Sequence, residues 1–109
     1  MGPNGTKESL PPARRRLLEL FQQVNFGRVE RLPILNGEPQ FDPPPHVVRE
    51  IKFGSENGPR PELDASDFKL KSQVLELFRY FDQVGNCTVD VIEVKHGLPF
   101  RMFVAGVAA

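Results

Sequence analysis

Two stretches of the chain carry apolar residues at helical spacing, and each is predicted to form an amphipathic helix. The stripe of the first helix consists of Leu17, Leu20, Phe21 and Val24. The stripe of the second helix consists of Leu70, Val74, Leu77, Phe78 and Phe81. Pro11 and Pro12 suit the first turn of a helix, where no backbone donor is lost. Ser66 or Asp64 can cap the second helix, and a glycine after each stripe is expected to end it.

Each predicted helix is followed by the pattern of a β-hairpin. In the first hairpin, residues 28–35 are rich in branched side chains and are closed by Asn36-Gly37. That dipeptide is typical of a type I′ turn, because both turn positions need positive φ. In the second hairpin, His96-Gly97 takes the same place between two strands. Because His and Asn are both enriched at positive φ, His96 is predicted to be a turn residue.

The first hairpin is followed by an additional segment. Residues 42–45 include three prolines, which cannot donate to a ladder and are expected to be extended and exposed. Residues 46–53 are predicted to form a strand. The side chains expected on one side of this strand are those of Val47, Ile51 and Phe53. A long polar loop at 54–65 then leads to the second helix, and loops of this length are often functional.

The strands of the two hairpins match at an offset of 60 residues, which aligns Val29 with Val89 and Leu32 with Ile92. In each hairpin these two apolar residues have opposite parity in the strand, so a regular strand places them on opposite faces. A bulge, or a strand buried on both faces at one end, would explain this shared irregularity.

The helices match at a different offset. LLELF at 17–21 aligns with VLELF at 74–78, an offset of 57 residues. The three extra residues of the second unit are then expected in its helix–strand connection at 83–86, where loops tolerate insertion. The chain is therefore interpreted as a duplicated helix–hairpin unit, with copies at about 13–53 and 66–104.

These elements predict one α+β domain at 10–109 behind a flexible tail at 1–9. A chain of 109 residues has the length of a single domain. The two helix–hairpin units are expected to be related by pseudo-twofold symmetry. Their helices are expected to pack on one face of an antiparallel sheet.

Composition narrows the function classes. Fourteen basic residues balance fourteen acidic ones, so no global field favours nucleic acid or an anionic membrane. No apolar run approaches the roughly 20 residues of a membrane span, and the first residues do not resemble a secretory signal. A single Cys excludes an internal disulfide and suits a reducing compartment. The expected location is the cytoplasm.

The stretch LLELFQQVNFGRVERLPILNGEP, within residues 17–41, resembles the YezD-like small bacterial proteins, and 74–102 resembles them to a lesser degree. Those proteins are short chains with one amphipathic helix, a Gly, a strand, a turn containing Asp-Gly or Asn-Gly, and a second strand. The resemblance implies a bacterial origin and little more, because the family is of uncharacterised function. The chain departs from that pattern in its proline-rich segment, its long loop and its second copy.

The residues that carry chemistry do not form a catalytic or metal-binding pattern. His46, His96 and Cys87 have no metal-ligand spacing, and a structural zinc site needs four ligands. Cys87 and His96 would lie roughly 30 Å apart on one strand, at about 3.3 Å per residue, so they cannot act as nucleophile and base. No convergent acid, base and nucleophile set is evident. The sequence therefore predicts a protein that is not an enzyme and needs no cofactor or metal.

The leading hypothesis is a non-catalytic interaction or assembly module that forms a homodimer or binds an obligate protein partner. The exposed strand PFRMFV places Phe100 and Phe103 on opposite faces, so one is expected in the core and the other under a partner. The alternative is a nucleic-acid-associated regulator that uses a basic run near the N-terminus. The candidate partner-binding residues are Arg14, Arg15, Arg16, Glu56, Asn57, Arg60, Phe100 and Phe103.

Overall fold

The structure is a computed structural model, and it describes residues 10–54 and 72–105. Its elements are α1 (Pro12–Val24), β1 (Gly27–Leu35), β2 (Glu38–Pro39), β3 (His46–Arg49), α2 (Ser72–Val84), β4 (Cys87–Lys95) and β5 (Leu98–Phe103). This arrangement confirms the predicted α+β class. The tail at 1–9, the proposed caps Asp64 and Ser66, and Leu70 lie outside the described residues.

The five strands form one curled antiparallel sheet. Four of them follow the order β2-β1-β4-β5, and β3 pairs with β1. β1 and β4 pair along most of their length, with Val29 opposite Ile92 and Leu32 opposite Val89. On its other edge, β1 pairs with β2 at its end and with β3 at its beginning. The short strands β2 and β3 therefore share one side of the sheet, and β5 lies at the opposite side.

Both helices and the two central strands contribute to one hydrophobic core. The predicted residues of α2 that the structure describes, Val74, Leu77, Phe78 and Phe81, are all buried. In α1 the burial extends further around the helix than the stripe predicts, because Leu18 and Gln22 are buried while Leu20 is only partly so. The cause is that α1 contacts three strands, β2, β3 and β5.

The lengths of the two helix–strand connections differ from the prediction. The bounds of α1 and α2 differ by 60 residues at both ends, as do the starts of β1 and β4. Two residues link each helix to its strand, Asn25 and Phe26 in the first half and Gly85 and Asn86 in the second. The offset of 57 and the three inserted residues at 83–86 are therefore wrong.

The two hairpin turns have the backbone conformation that the sequence predicts. The φ angles are 53° at Asn36, 78° at Gly37, 55° at His96 and 72° at Gly97. The Gly37 N–H donates to the carbonyl oxygen of Gly85 at 2.7 Å, and the Gly97 N–H donates to that of Asn25 at 2.9 Å. Each turn thus contacts the end of the helix that belongs to the other half of the chain.

The shared irregularity of the two long strands is confirmed by burial. Val29, Leu32, Val89 and Ile92 are all fully buried although the members of each pair differ in parity. In β1 the chain adjusts at Arg31, whose φ is 56°. This left-handed residue shifts the alternation, so the side chains on either side of it reach the same core.

The strand predicted at 46–53 is shorter in the structure, because β3 ends at Arg49. Arg49 pairs with Gly27, the first residue of β1, and past this pair the Glu50 N–H donates to the carbonyl oxygen of Phe26 at 2.8 Å, beyond the end of the ladder. Ile51 and Phe53 therefore lie beyond the strand, 48% and 98% exposed, and the prediction of one strand that carries them on one side with Val47 is wrong. Residues 42–44 are exposed, as the prolines predict, while Pro45 is only partly exposed.

Candidate partner-binding surface

The edge strand β5 contains a bulge that decides where its aromatic side chains lie. Arg101 pairs with Glu93 and Pro99 pairs with Val94. Phe100 is therefore an extra residue of β5 that has no paired residue on β4. A bulge changes the alternation of the strand by one residue. Phe100 and Phe103 therefore project from the same face of the sheet.

The exposure of the two rings confirms this placement and corrects the prediction. Phe100 is 52% exposed and Phe103 is 49% exposed. The Arg101 guanidinium lies 5.5 Å from the centre of the Phe100 ring and 5.6 Å from that of the Phe103 ring, which places all three side chains together. The expectation of one core Phe is wrong, since the bulge turns both rings away from the core.

Charged neighbours hold these rings in place. Lys95 Nζ lies 4.1 Å from the centre of the Phe100 ring, and Arg101 Nε donates to Glu93 Oε1 at 2.7 Å. Lys95, Phe100, Arg101 and Phe103 are called the β5 patch below. Lys95 and Arg101 were not among the candidate residues that the sequence predicted. The signal that could have found them was the alternation of charged and aromatic residues around the second turn.

A groove runs beside the β5 patch, between α2 and β5. Its lining includes Leu77, Tyr80 and Met102, together with Phe100 and Arg101 of the β5 patch. Met102 is only partly buried although it lies opposite the buried Ile92. The edge of β5 therefore presents partly covered apolar side chains on the core side and the β5 patch on the other.

A charged cluster around Glu30, called the Glu30 cluster below, lies on the same face of the sheet as the β5 patch, at the opposite side of the sheet from β5. Glu30 accepts a hydrogen bond from Arg28 Nε at 2.7 Å, and its other oxygen lies 2.7 Å from His46 Nδ1. The hydrogen bonds with Arg28 and His46 lower the pKa of Glu30. Because His46 is the first residue of β3, this cluster ties β3 to β1.

The arginine run near the start of α1 is not one basic surface. Arg14 is largely buried, donates to the carbonyl oxygen of Gly37 at 2.8 Å and forms an ion pair with Asp82. The guanidinium of Arg16 instead lies 4.5 Å from the centre of the Phe41 ring. Arg15 is intermediate in exposure and has interactions of its own. Arg14 therefore joins α1 to α2 and to the first hairpin.

The remaining candidates can be placed briefly. Glu56, Asn57 and Arg60 lie outside the described residues. Within 10–54 and 72–105, no three His, Cys, Asp or Glu side chains come close enough together to hold a metal ion.

The geometry of β4 keeps Cys87 and His96 apart. Cys87 begins β4 and His96 follows its last residue, so an extended strand separates them. Burial raises the pKa of the Cys87 thiol, which disfavours the nucleophilic thiolate. His96 contacts the Phe26 ring edge-on, with 4.8 Å between ring centres. His96 therefore has a structural role as a turn residue.

Neither described helix has the length and apolar character that a membrane crossing needs. Comparisons of the chain with protein-family models, with curated proteins and with solved structures give no match. The resemblance of residues 17–41 to YezD-like proteins therefore stays a prediction.

Proposed function

We propose that the protein is a non-catalytic interaction module that self-associates through β5 and the β5 patch. The observation that carries the proposal is the bulge at Phe100, which places two half-exposed phenylalanine rings on one face of an edge strand. Edge strands with few charges and exposed apolar residues are natural sites of strand pairing. Arg101 is the only charged residue within β5.

The free energy available from burying the exposed phenylalanine rings indicates a reversible dimer. The exposed half of a Phe is on the order of 100 Å², which corresponds to about 2.5 kcal/mol per ring at about 25 cal/mol per Å². Complete burial of four rings in a symmetric dimer would give at most about 10 kcal/mol, which is comparable to the roughly 4–15 kcal/mol that association costs. The rings alone give marginal affinity, so backbone pairing along β5 is needed for a stable contact.

A duplicated, pseudo-twofold architecture is a second part of the proposal. Under the 60-residue offset, the pair Val29–Ile92 maps onto the pair Val89–Leu32, which is the relation that a twofold axis through the β1–β4 ladder generates. The reciprocal turn contacts, Gly37 to Gly85 and Gly97 to Asn25, obey the same relation. Fusion of an ancestral homodimer preserves such isologous contacts.

The helices are proposed to cover one face of the sheet. Both contribute to the single core, and both contact β5. The opposite face carries the β5 patch and the Glu30 cluster. This arrangement supports a protein that leaves one sheet face and one sheet edge available to a second molecule.

The alternative, a nucleic-acid-associated regulator, has less support. The largely buried Arg14 is bound to Asp82 and Gly37, so the three consecutive arginines do not present three phosphate contacts. The two hypotheses differ in their salt dependence. Nucleic-acid binding weakens steeply as salt rises, while an apolar self-association does not.

Sedimentation equilibrium of the purified chain over a wide concentration range tests the proposal. We expect a reversible monomer–dimer equilibrium that changes little with salt. Phe100→Ser and Phe103→Ser should each abolish dimerisation, because a polar residue removes the buried ring. Phe53→Ser is the matched control, since Phe53 is 98% exposed and lies beyond the end of β3.

Thermal unfolding of the same variants separates association from folding. The isolated variants should unfold at the temperature of the wild-type monomer, because neither ring belongs to the core. A wild-type chain that stays monomeric at every concentration would contradict the proposal. Equal loss of dimer in Phe53→Ser would show that general surface hydrophobicity, and not the β5 patch, drives association.

A further inference from the structure

The edge of β5 also suggests how two copies would pair. We infer that β5 of a second copy adds antiparallel to β5 about a twofold axis at Met102, so that the two sheets become continuous. This inference rests on the proposed self-association. Among the described residues, β5 pairs only with β4. Pro99 lacks an N–H, so the segment able to pair begins at Phe100.

A second copy is the occupant because Arg101 already lies 5.6 Å from the Phe103 ring, and an identical edge offers the same two partners in return. An isologous contact between two such edges is antiparallel by symmetry. The molecule already contains the same kind of contact in β1 and β4, the first strands of its two hairpins, which pair antiparallel. The other side of the sheet is less suited to extension. There the strands β2 and β3 are short, and residues 43–45 between them are prolines.

The register follows from charge and from the pleat. Residues directly opposite each other in an antiparallel pair share a face of the sheet, so in the regular stretch from Arg101 to Phe103 the axis must pass a residue and not a peptide bond. The β1–β4 ladder differs, because its axis lies between residues 30 and 31, where Arg31 shifts the alternation. An axis at Arg101 would set two arginines directly opposite each other, which is destabilising. An axis at Phe103 would pair Phe100 with residue 106, outside the described strand.

An axis at Met102 avoids both problems. It places Arg101 opposite Phe103 of the second copy, and each chain already holds this guanidinium 5.6 Å from its own Phe103 ring. On the core side it places the two Met102 side chains together beside the groove lined by Leu77 and Tyr80. Methionine adapts its shape to irregular gaps of this kind. One register therefore satisfies both faces of the sheet.

Disulfide trapping tests the register. Cys87 is the only cysteine, so Cys87→Ser gives a clean background. In that background, Met102→Cys should form a disulfide-linked dimer about tenfold faster than Arg101→Cys or Val104→Cys, because only opposite residues reach the 4.4–6.8 Å Cα separation of about one strand spacing. A mixture of Met102→Cys and Val104→Cys chains should trap mainly as the Met102→Cys homodimer, whereas an axis at Phe103 would set these two residues opposite each other and favour the mixed dimer.

The outcomes distinguish the inference from the proposed function. A chain that sediments as a dimer but traps fastest through Arg101→Cys alone, or as the mixed dimer of Met102→Cys and Val104→Cys, overturns the Met102 register and leaves self-association standing. A dimer in which no β5 cysteine traps overturns pairing through this edge. If the Cys87→Ser chain is monomeric at every concentration, both proposals fail, and the edge is covered within the chain or by a different protein. Rapid trapping of Met102→Cys together with slow trapping of Arg101→Cys and Val104→Cys supports the inference.

Discussion

At the residue scale, the two histidines illustrate how a residue that suggests chemistry acquires a structural role. His96 has a φ of 55° and occupies the turn position that Asn36 occupies in the other hairpin. His46 instead lies at the start of β3, 2.7 Å from a Glu30 oxygen. Within the described ranges, neither histidine belongs to a group of three His, Cys, Asp or Glu side chains that could hold a metal ion. The alignment of His96 with Asn36 was sufficient to predict its role.

The turn glycines give a prediction at this scale. Gly37→Ala and Gly97→Ala should each lower the free energy of unfolding by about 1 kcal/mol or more, because both positions have positive φ. At Gly37 the cost is increased, since a Cβ atom would lie 3.2 Å from Arg14 Nη2 and 3.3 Å from Asp82 Oδ1. Urea denaturation measures both values.

The matched variant is His96→Asn, because Asn also accepts positive φ. It loses the edge contact with the Phe26 ring, so we expect less than about 1 kcal/mol of destabilisation and unchanged self-association. If His96→Asn abolished association while its melting temperature stayed unchanged, the turn interpretation would be wrong and His96 would belong to a binding site.

At the element scale, the sequence predicted the helices and the hairpins well because their patterns are local. The period of the apolar stripe and the turn dipeptides each involve neighbouring residues. The offset of the helices failed for a physical reason. Sliding a helix by three residues again places apolar residues over apolar ones, so LLELF matched VLELF three positions away from the structural equivalence. A turn glycine fixes the alignment of a strand and has no counterpart within a helix.

Two other errors concern information that is not local. The end of β3 is set by where β1 begins, through the pair Gly27 and Arg49. The bulge at Phe100 is set by the pairing of β5 with β4. Neither appears in the alternation of a single strand, so the exposure of Phe53 and the shared face of Phe100 and Phe103 could not be predicted. The sequence therefore predicted the strand that carries Phe100 and Phe103, but the predicted orientation of the two rings was wrong.

The attachment of β3 to β1 should depend on pH through Glu30. The pKa of Glu30 is lowered from its ordinary value of 4.5 by Arg28 and His46. A carboxyl group with a lowered folded-state pKa stabilises the fold fully above its unfolded pKa and loses that contribution as pH falls through the folded pKa. Stability should therefore decline below about pH 4.5, and the decline should be smaller in Glu30→Gln.

Chemical denaturation at a series of pH values between neutrality and acid measures this difference. Glu76→Gln, which removes an exposed carboxylate on α2, is the matched control. A Glu30→Gln profile parallel to that of the wild type would show that the cluster does not contribute to folding.

At the scale of the whole molecule, the two halves are coupled through their turns. Each hairpin turn donates a hydrogen bond to the helix end of the other half. Arg14 adds a further link, because it joins α1 to Asp82 of α2 and to Gly37 of the first turn. The consequence is that neither hairpin turn can open without breaking a contact between the halves.

Amide hydrogen exchange tests this coupling. Hairpin turns usually exchange early, but the Gly37 and Gly97 amides should exchange as slowly as core amides such as that of Ile92, through global unfolding. The amide of Gly54, in an exposed turn after β3, should exchange rapidly and serves as the internal control. NMR exchange rates measured with increasing denaturant provide the opening free energies. Slow exchange at one turn with fast exchange at the other would mean that the halves open separately, and the proposed twofold relation would then not extend to stability.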